Sequence, residues 1–243
     1  MFRSAMAAMD NGAPARILVV DVGGTHVKLL ATGRRVPVHL PSGPGLTPTD
    51  ALAMIRNATA GWKFDAVSIG YPGPVGPHGP RVEPAHLGAG WVGFDFEAAF
   101  GKPVRIVNDA AMQALGGYRG GSMLFLGLGT GLGSALILEG HVQPLELAHL
   151  PYRGRSFEDF VGDAARRRLG HHHWRRYVLD VIDRLVAAMQ PGLLTIGGGN
   201  ARHLRNARSR LPPGTRLGGN ADAFRGGFRL WRRPEERARP GLR

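Results

Sequence analysis

Short apolar runs recur along this chain, and most of them stop at glycine. A run of four to eight apolar residues bounded by turn residues marks a buried strand. RILVVDVG (16–23) is the first and THVKLLAT (25–32) the second, so 17–32 reads as a β-hairpin turned at Gly23 and Gly24. RRVPVHLPS predicts a third strand that ends in a Pro/Gly loop. TPTDALAMIRNATAGW has a Thr/Asp start, helical apolar spacing and a closing glycine, which predicts a capped helix. FDAVSIGYPGPVGP is a strand running into a loop rich in Pro and Gly. FDFEAAFG is a short helix, PVRIVND a strand, and AAMQALGGY a helix that opens just after that strand.

The second half begins in the same way. SMLFLGLGTGLGSALILEG is strand, glycine turn, strand, an echo of the first hairpin that suggests two related halves. After a loop carrying ELAHLPYRG, the pattern predicts one helix over 156–169 and a long one over 171–190. LLTIGGGN is a further strand ending in glycines, ARHLRNARSRL is basic and helical, and LGGNADAFRGGFRLW is a loop into a final helix. Strands alternating with helices, and glycine turns at strand ends, give an α/β fold of two lobes meeting around 108–125. Residues 1–15 read as a flexible leader, 16–108 as an N-terminal α/β lobe and 109–231 as a C-terminal one. The last helix is expected to pack back on the N-terminal lobe, and the basic tail 232–243 to be disordered.

Composition narrows the class. The chain has 243 residues, enough for a substantial core, with 37 glycines and 18 prolines for many turns. It has no cysteine, which removes disulfides and thiolate metal sites and leans towards a reducing compartment. The start lacks an apolar core of signal-peptide length. No apolar run reaches the roughly 18 residues of a membrane helix. A soluble cytoplasmic protein is therefore expected. The net charge of +13 is the oddity, because a basic field attracts polyanions such as nucleotides, polyphosphate or nucleic acid. A genome that favours Arg would produce the same excess on a solvated surface.

The candidate chemistry sits at the turns. Asp21, Gly23, Gly24, Thr25 and Lys28 follow neither the dinucleotide spacing nor the Walker spacing. What remains is a strand–turn–strand with exposed amides, a hydroxyl and a nearby carboxylate. Such a turn can hold phosphate oxygens, and the Asp can hold a hydrated Mg²⁺. It is equally a plain Gly-Gly hairpin. Gly129, Thr130 and Gly131 form a second turn of the same kind, and two cradles suit a donor with several phosphates. Asn108 and Asp109 lie between a strand and a helix, where a carboxylate can act as a base in phosphoryl transfer. On spacing alone Asp109 reads first as a helix cap. Glu146, His149 and Glu158 are polar groups suited to a polyol. The His171–His173 run among arginines reads as an exposed helix face or a polyanion contact.

Taken in order, these pieces resemble the ROK family of sugar kinases, and within it the polyphosphate/ATP glucokinases. VVDVGGTHVK, VSIGYPGPV, AHLGAGWVGFDFEAAFGKPVRIVNDA, LFLGLGTGLGSALILEG, ELAHLPYRGRSFEDFVG and LLTIGGGN carry the resemblance over roughly 16–230. It implies a two-lobed actin-like ATPase (ribonuclease H-like) fold with the active site in the interlobe cleft. It implies transfer of a phosphoryl group from polyphosphate or ATP to the 6-hydroxyl of glucose, with Asp109 as general base. Asp21, Gly23, Gly24, Thr25 and Lys28 then match the first phosphate motif, and Gly129, Thr130 and Gly131 the second. Asn108, Glu146, His149 and Glu158 match sugar contacts, and the loop around Gly73 lies near the sugar. Gly197, Gly198 and Gly199 match the turn beside the adenosine or the equivalent stretch of polyphosphate. Mg²⁺ would travel with the donor, held by Asp21 through water, and a homodimer is expected. The cysteine-based zinc motif of many members is missing, so no zinc is expected. E-x-G-H is E-L-A-H here, with Ala148 for glycine, which bears on sugar fit. No helix-turn-helix precedes the kinase core, so nucleic acid is not the expected partner. The alternatives are a kinase for mannose or an N-acetylhexosamine, or a non-catalytic sugar- or nucleic-acid-binding relative. The resemblance assigns no role to the Arg-rich 202–210 segment.

Overall fold

The computed structural model describes residues 14–219 and 221–238. The first hairpin forms as β1 (Ile17–Val22) and β2 (His26–Ala31), extended by β3 (Val38–Pro41). Helix α1 (Pro48–Ala58) follows, with Thr47 as its N-cap, and leads to β4 (Ala66–Tyr71). A small hairpin, β5 (Val75–Gly76) and β6 (Gly79–Pro80), precedes α2 (Phe96–Phe100), β7 (Val104–Asn108) and α3 (Asp109–Gly117). The second half opens with β8 (Ser122–Leu128), β9 (Leu132–Leu138) and β10 (His141–Leu145). Then come the hairpin β11 (Pro151–Tyr152) and β12 (Arg155–Ser156), α4 (Glu158–Val161) and α5 (Asp163–Met189). Finally β13 (Leu193–Gly197), β14 (Arg216–Leu217) and α6 (Ala221–Arg229) complete the order.

The two halves share one sheet plan. The first sheet runs β3-β2-β1-β4-β7 and the second β10-β9-β8-β13-β14. In each, three antiparallel strands are followed by two parallel ones. Both sheets are buried on two faces, which is why their strands read as unbroken apolar runs. Leu18, Val20 and Val22 face a core shared with α1 and α2, while Ile17 and Val19 face the middle of the molecule. Leu124, Leu126 and Leu128 face α5, while Met123 and Phe125 face the middle. That middle layer is α3 and α6. The stack is helices, sheet, helices, sheet, helix, which is the actin-like ATPase plan.

Two expectations differ from what forms. The helix expected over 156–169 is broken at Gly162, which is extended at φ −67°, ψ 169°. The reason lies in the second glycine turn: the Asp163 amide donates to the carbonyls of Gly129 and Thr130, both at 3.1 Å. A Cβ on Gly162 would come 2.8 Å from the Thr130 oxygen. The break expected before His171 occurs at Gly170, whose φ of 72° suits glycine. The basic 202–210 segment, expected to be helical, lies in a 3-10 helix, Gly199–Arg210. The tail expected to be disordered from 232 is instead packed as far as 238. Arg237 Nη1 donates to the Gly140 carbonyl at 2.8 Å, and Pro234–Glu236 form a 3-10 turn. Residues 1–13 of the expected leader and 239–243 of the tail lie outside the described residues. No helix of the described residues is long and apolar enough to cross a membrane.

Candidate active site

Asp109 stands where β7 gives way to α3, between the two sheets. The cap of α3 is its neighbour. Asn108 Oδ1 accepts from the Ala111 amide at 3.1 Å, and Asn108 Nδ2 donates to the Gly73 carbonyl at 3.3 Å. Asn108 thus joins the helix start to the Gly73 loop, and the Asp109 carboxyl accepts from the Ala110 amide at 2.8 Å. Gly70 lies directly behind, and a Cβ there would come 3.5 Å from the Asp109 Cα. Burial pushes the Asp109 carboxyl up to about 7, and the negative charges of Asp21 and Glu146 add to the effect. A carboxyl poised near neutrality suits proton transfer at physiological pH.

The first glycine turn supplies Asp21. It pairs with Lys28 directly across the hairpin, Nζ to Oδ2 at 2.9 Å. Gly23 closes the turn through its amide to the His26 carbonyl at 3.0 Å. Gly24 packs on His86, to whose Cβ a Cβ of its own would come within 3.0 Å. Thr25 is exposed, its hydroxyl 3.3 Å from His26 Nδ1. The second turn is built more tightly. Gly129 donates to the Gly131 carbonyl at 3.1 Å, and Glu158 Oε2 accepts the Leu132 amide at 3.1 Å. A Cβ on Gly131 would fall on that carboxylate. Thr130 is exposed at the tip. Glu158, expected from the resemblance to meet sugar, therefore has one oxygen engaged by the turn.

Glu146 and His149 flank a single 3-10 turn, Leu147–His149, and lie 3.8 Å apart. Both side chains are more than half exposed. Ser134 of β9 holds this loop by donating to the Leu145 carbonyl and accepting the Leu147 amide. Ala148 between them is buried in the core of the second sheet. At the end of β13, Gly197 pairs with Gly127 of β8. Gly198 has φ 80°, and a Cβ there would strike the Leu128 carbonyl, while Gly199 is open.

Sequence reasoning missed the polar link between the second and third turns. Asn200 Nδ2 donates to the Gly129 carbonyl at 3.3 Å and to Asp163 Oδ1 at 3.1 Å. Arg166 Nε reaches the same Asp163 oxygen at 2.9 Å. Arg166 first, then Asn200, hold Asp163 below the usual carboxylate range. The signal available was position: Asn200 directly follows three glycines, and Asp163 opens a helix. His86 gave no signal of its own. Among the described residues no group of three or more His, Cys, Asp or Glu side chains is arranged to hold a metal ion. Asp21 and Asp109 are close enough for the charge of one to raise the other, an excess of negative charge that a donor-borne divalent cation would relieve.

Solved structures share this fold. An inorganic polyphosphate/ATP-glucomannokinase from Arthrobacter sp. superposes with a TM-score of 0.74 at 22% identity, covering 90% of this chain and 98% of that one. A ROK family glucokinase from Streptomyces griseus, in complex with glucose and AMPPNP, superposes with a TM-score of 0.70 at 18% identity, covering 89% and 99%. In sequence, a polyphosphate glucokinase of Mycobacterium tuberculosis is 28% identical over 205 residues, 75% of this chain and 77% of its own. A polyphosphate glucokinase of Mycobacterium leprae is 26% identical over 208 residues, 75% of this chain and 63% of its own. The ROK family model matches residues 17–144, from the first strand through the Asp109 helix to the second meander. With more than half of its length matched, the chain belongs to the ROK family.

Proposed function

We propose that the protein is a hexose kinase that phosphorylates the 6-hydroxyl of glucose from polyphosphate or ATP, with Asp109 as general base. One observation carries the reading. Asn108 takes over the capping of α3, so the Asp109 carboxyl, pushed to about 7, is left for a substrate hydroxyl. The relatives named as polyphosphate glucokinases support the choice of substrates.

In this reading the 6-oxygen attacks the terminal phosphorus of the donor. Its bond to that phosphorus forms, the bond to the donor's bridging oxygen breaks, and the hydroxyl proton passes to Asp109. The amides and hydroxyl of Gly23, Gly24 and Thr25 hold donor oxygens from one side. Gly129, Thr130 and Gly131 hold them from the other, and Lys28 balances the charge of Asp21. Asn108, the Gly73 loop, Glu146, His149 and the free oxygen of Glu158 orient the sugar. Asp21 would hold Mg²⁺ through water, and the ion would supply charge neutralisation on the donor's phosphates. The methyl of Ala148 is buried beneath the Glu146–His149 turn, where it bears on how the turn meets the sugar.

Steady-state assays with glucose, Mg²⁺ and either ATP or long-chain polyphosphate test this reading. Asp109→Asn is expected to lower kcat by about 10²–10⁴-fold while leaving the circular dichroism spectrum unchanged. Near-normal kcat in that variant would remove the base assignment. No hexose phosphorylation by the wild type with either donor would remove the kinase reading.

A further inference from the structure

The segment after the third glycine turn reads A-R-H-L-R-N-A-R-S, a repeat of three. Ala201, Leu204 and Ala207 are buried, while Arg202, Arg205 and Arg208 are exposed. A 3-10 helix has three residues per turn, so side chains three apart stand directly above one another. Within Gly199–Arg210 this places Arg202 and Arg205 one turn, about 6 Å, apart on one face, and Arg208 follows just past a kink at Ala207. All three line a cleft of about 460 Å³ that begins at Gly198 and Gly199. A second cleft, of about 650 Å³, shares Arg208 and Leu217 with the first and continues to Arg216. The near end is tied to the phosphate turns, because Asn200, in the first turn of this helix, bonds the Gly129 carbonyl.

The lining is selective in what it omits. No carboxylate and no aromatic ring faces either cleft among the described residues. No salt bridge holds Arg202, Arg205, Arg208 or Arg216 among the described residues. A nucleobase would be recognised by a flat ring or a pair of amide groups, and a ribose by an acceptor; the first cleft offers glycines, arginines, Ala201 and Leu217. Arg202 Nε donates to His203 Nε2 at 3.3 Å, and several guanidiniums without a carboxylate partner along one cleft fit a ligand that repeats its negative charge along its length. We infer that Arg202, Arg205 and Arg208, with Arg216 beyond them, form a subsite for the trailing phosphates of a linear inorganic polyphosphate whose leading end lies between the glycine turns. This inference rests on the proposed kinase reading and identifies the residues that select a long polyanionic donor. It also accounts for part of the +13 charge as a directed track, since the field there draws in the chain and each bound phosphate releases counterions.

The test compares the wild type with two triple variants, Arg202→Gln/Arg205→Gln/Arg208→Gln and Arg202→Lys/Arg205→Lys/Arg208→Lys. Glucose phosphorylation is measured with ATP, tripolyphosphate and long-chain polyphosphate over a range of salt. Direct binding of long-chain polyphosphate and of a single-stranded oligonucleotide is measured alongside, with thermal melts to establish folding. The Gln triple is expected to raise KM and Kd for long-chain polyphosphate at least about tenfold and to flatten the salt dependence. Its kinetics with ATP and tripolyphosphate are expected to stay within about twofold of wild type, and the Lys triple to keep most of the affinity. Equal losses with all donors, or no loss with long chains, would overturn the subsite. So would a wild type that uses ATP and binds no polyphosphate, an outcome that leaves the kinase reading standing. Oligonucleotide binding in place of polyphosphate would overturn it too. Polyphosphate binding through the arginines without any glucose phosphorylation would instead uphold the subsite and remove the kinase reading.

Discussion

Ionising Asp109 in the folded protein places a half-buried negative charge beside those of Asp21 and Glu146. Two consequences follow, and both have a sign. The base form is populated only above about pH 7, so kcat/KM is expected to fall about tenfold per pH unit below that value. A pH–rate profile that stays flat down to pH 5 would assign the base elsewhere. For stability, the folded carboxyl titrates near 7 and the unfolded one near 3.8. Between those values the folded state holds a proton that the unfolded state has released, so stability falls as pH rises through this window. Above pH 7 the penalty is complete, of order 1–4 kcal/mol with its upper end reduced by partial exposure. Asp109→Asn is accordingly expected to melt higher than wild type at pH 8 and level with it at pH 4. The sequence singled out Asp21, the glycine turns and Asn108–Asp109 as candidates, and the fold sets Asp21 within reach of the charge on Asp109. The division of labour between Asn108 and Asp109 was not legible, because it depends on which of the two sits at the non-helical position.

At the scale of elements, the glycines that matter most for stability are away from the phosphate turns. Helices α3 and α6 cross so closely that a Cβ on Gly226 would fall on the Met112 carbonyl, and one on Gly116 on the Asp222 backbone. Gly226→Ala is expected to destabilise by about 1–3 kcal/mol in urea unfolding. Gly43→Ala, where a Cβ meets nothing within 4 Å, should stay within about 0.5 kcal/mol. Neither difference can be read from a string in which both are simply glycine. The strands were legible because burial on both faces leaves an unbroken apolar signature, and the echo between the two hairpins proved to be a shared sheet plan. The break at Gly162 was hidden because its cause is a hydrogen bond to a turn some thirty residues earlier in the chain. The basic 3-10 helix was half legible: an apolar residue at every third position marks a helix without distinguishing three residues per turn from 3.6.

For the molecule as a whole, α6 is the element that makes the two sheets one body. The Ser68 hydroxyl of β4 donates to the Gly227 carbonyl at 2.7 Å and accepts from Trp231 Nε1 at 2.9 Å. Arg229 is buried and bonds backbone carbonyls. It donates to the carbonyls of Leu115, Gly116 and Tyr118, closing the C-terminal end of α3, and burial brings its pKa down to about 10. A chain stopped after Gly219 loses all of these bonds and uncovers the Val19 face of the first sheet. It is expected to show no cooperative unfolding transition by calorimetry, whereas the full chain shows one. The same packing sets an order of events during synthesis. The strands that leave the ribosome first cannot be finished until a segment about 160 residues later has been made. The early half of the chain must therefore spend most of translation with a sticky sheet face open to solvent and to other nascent chains.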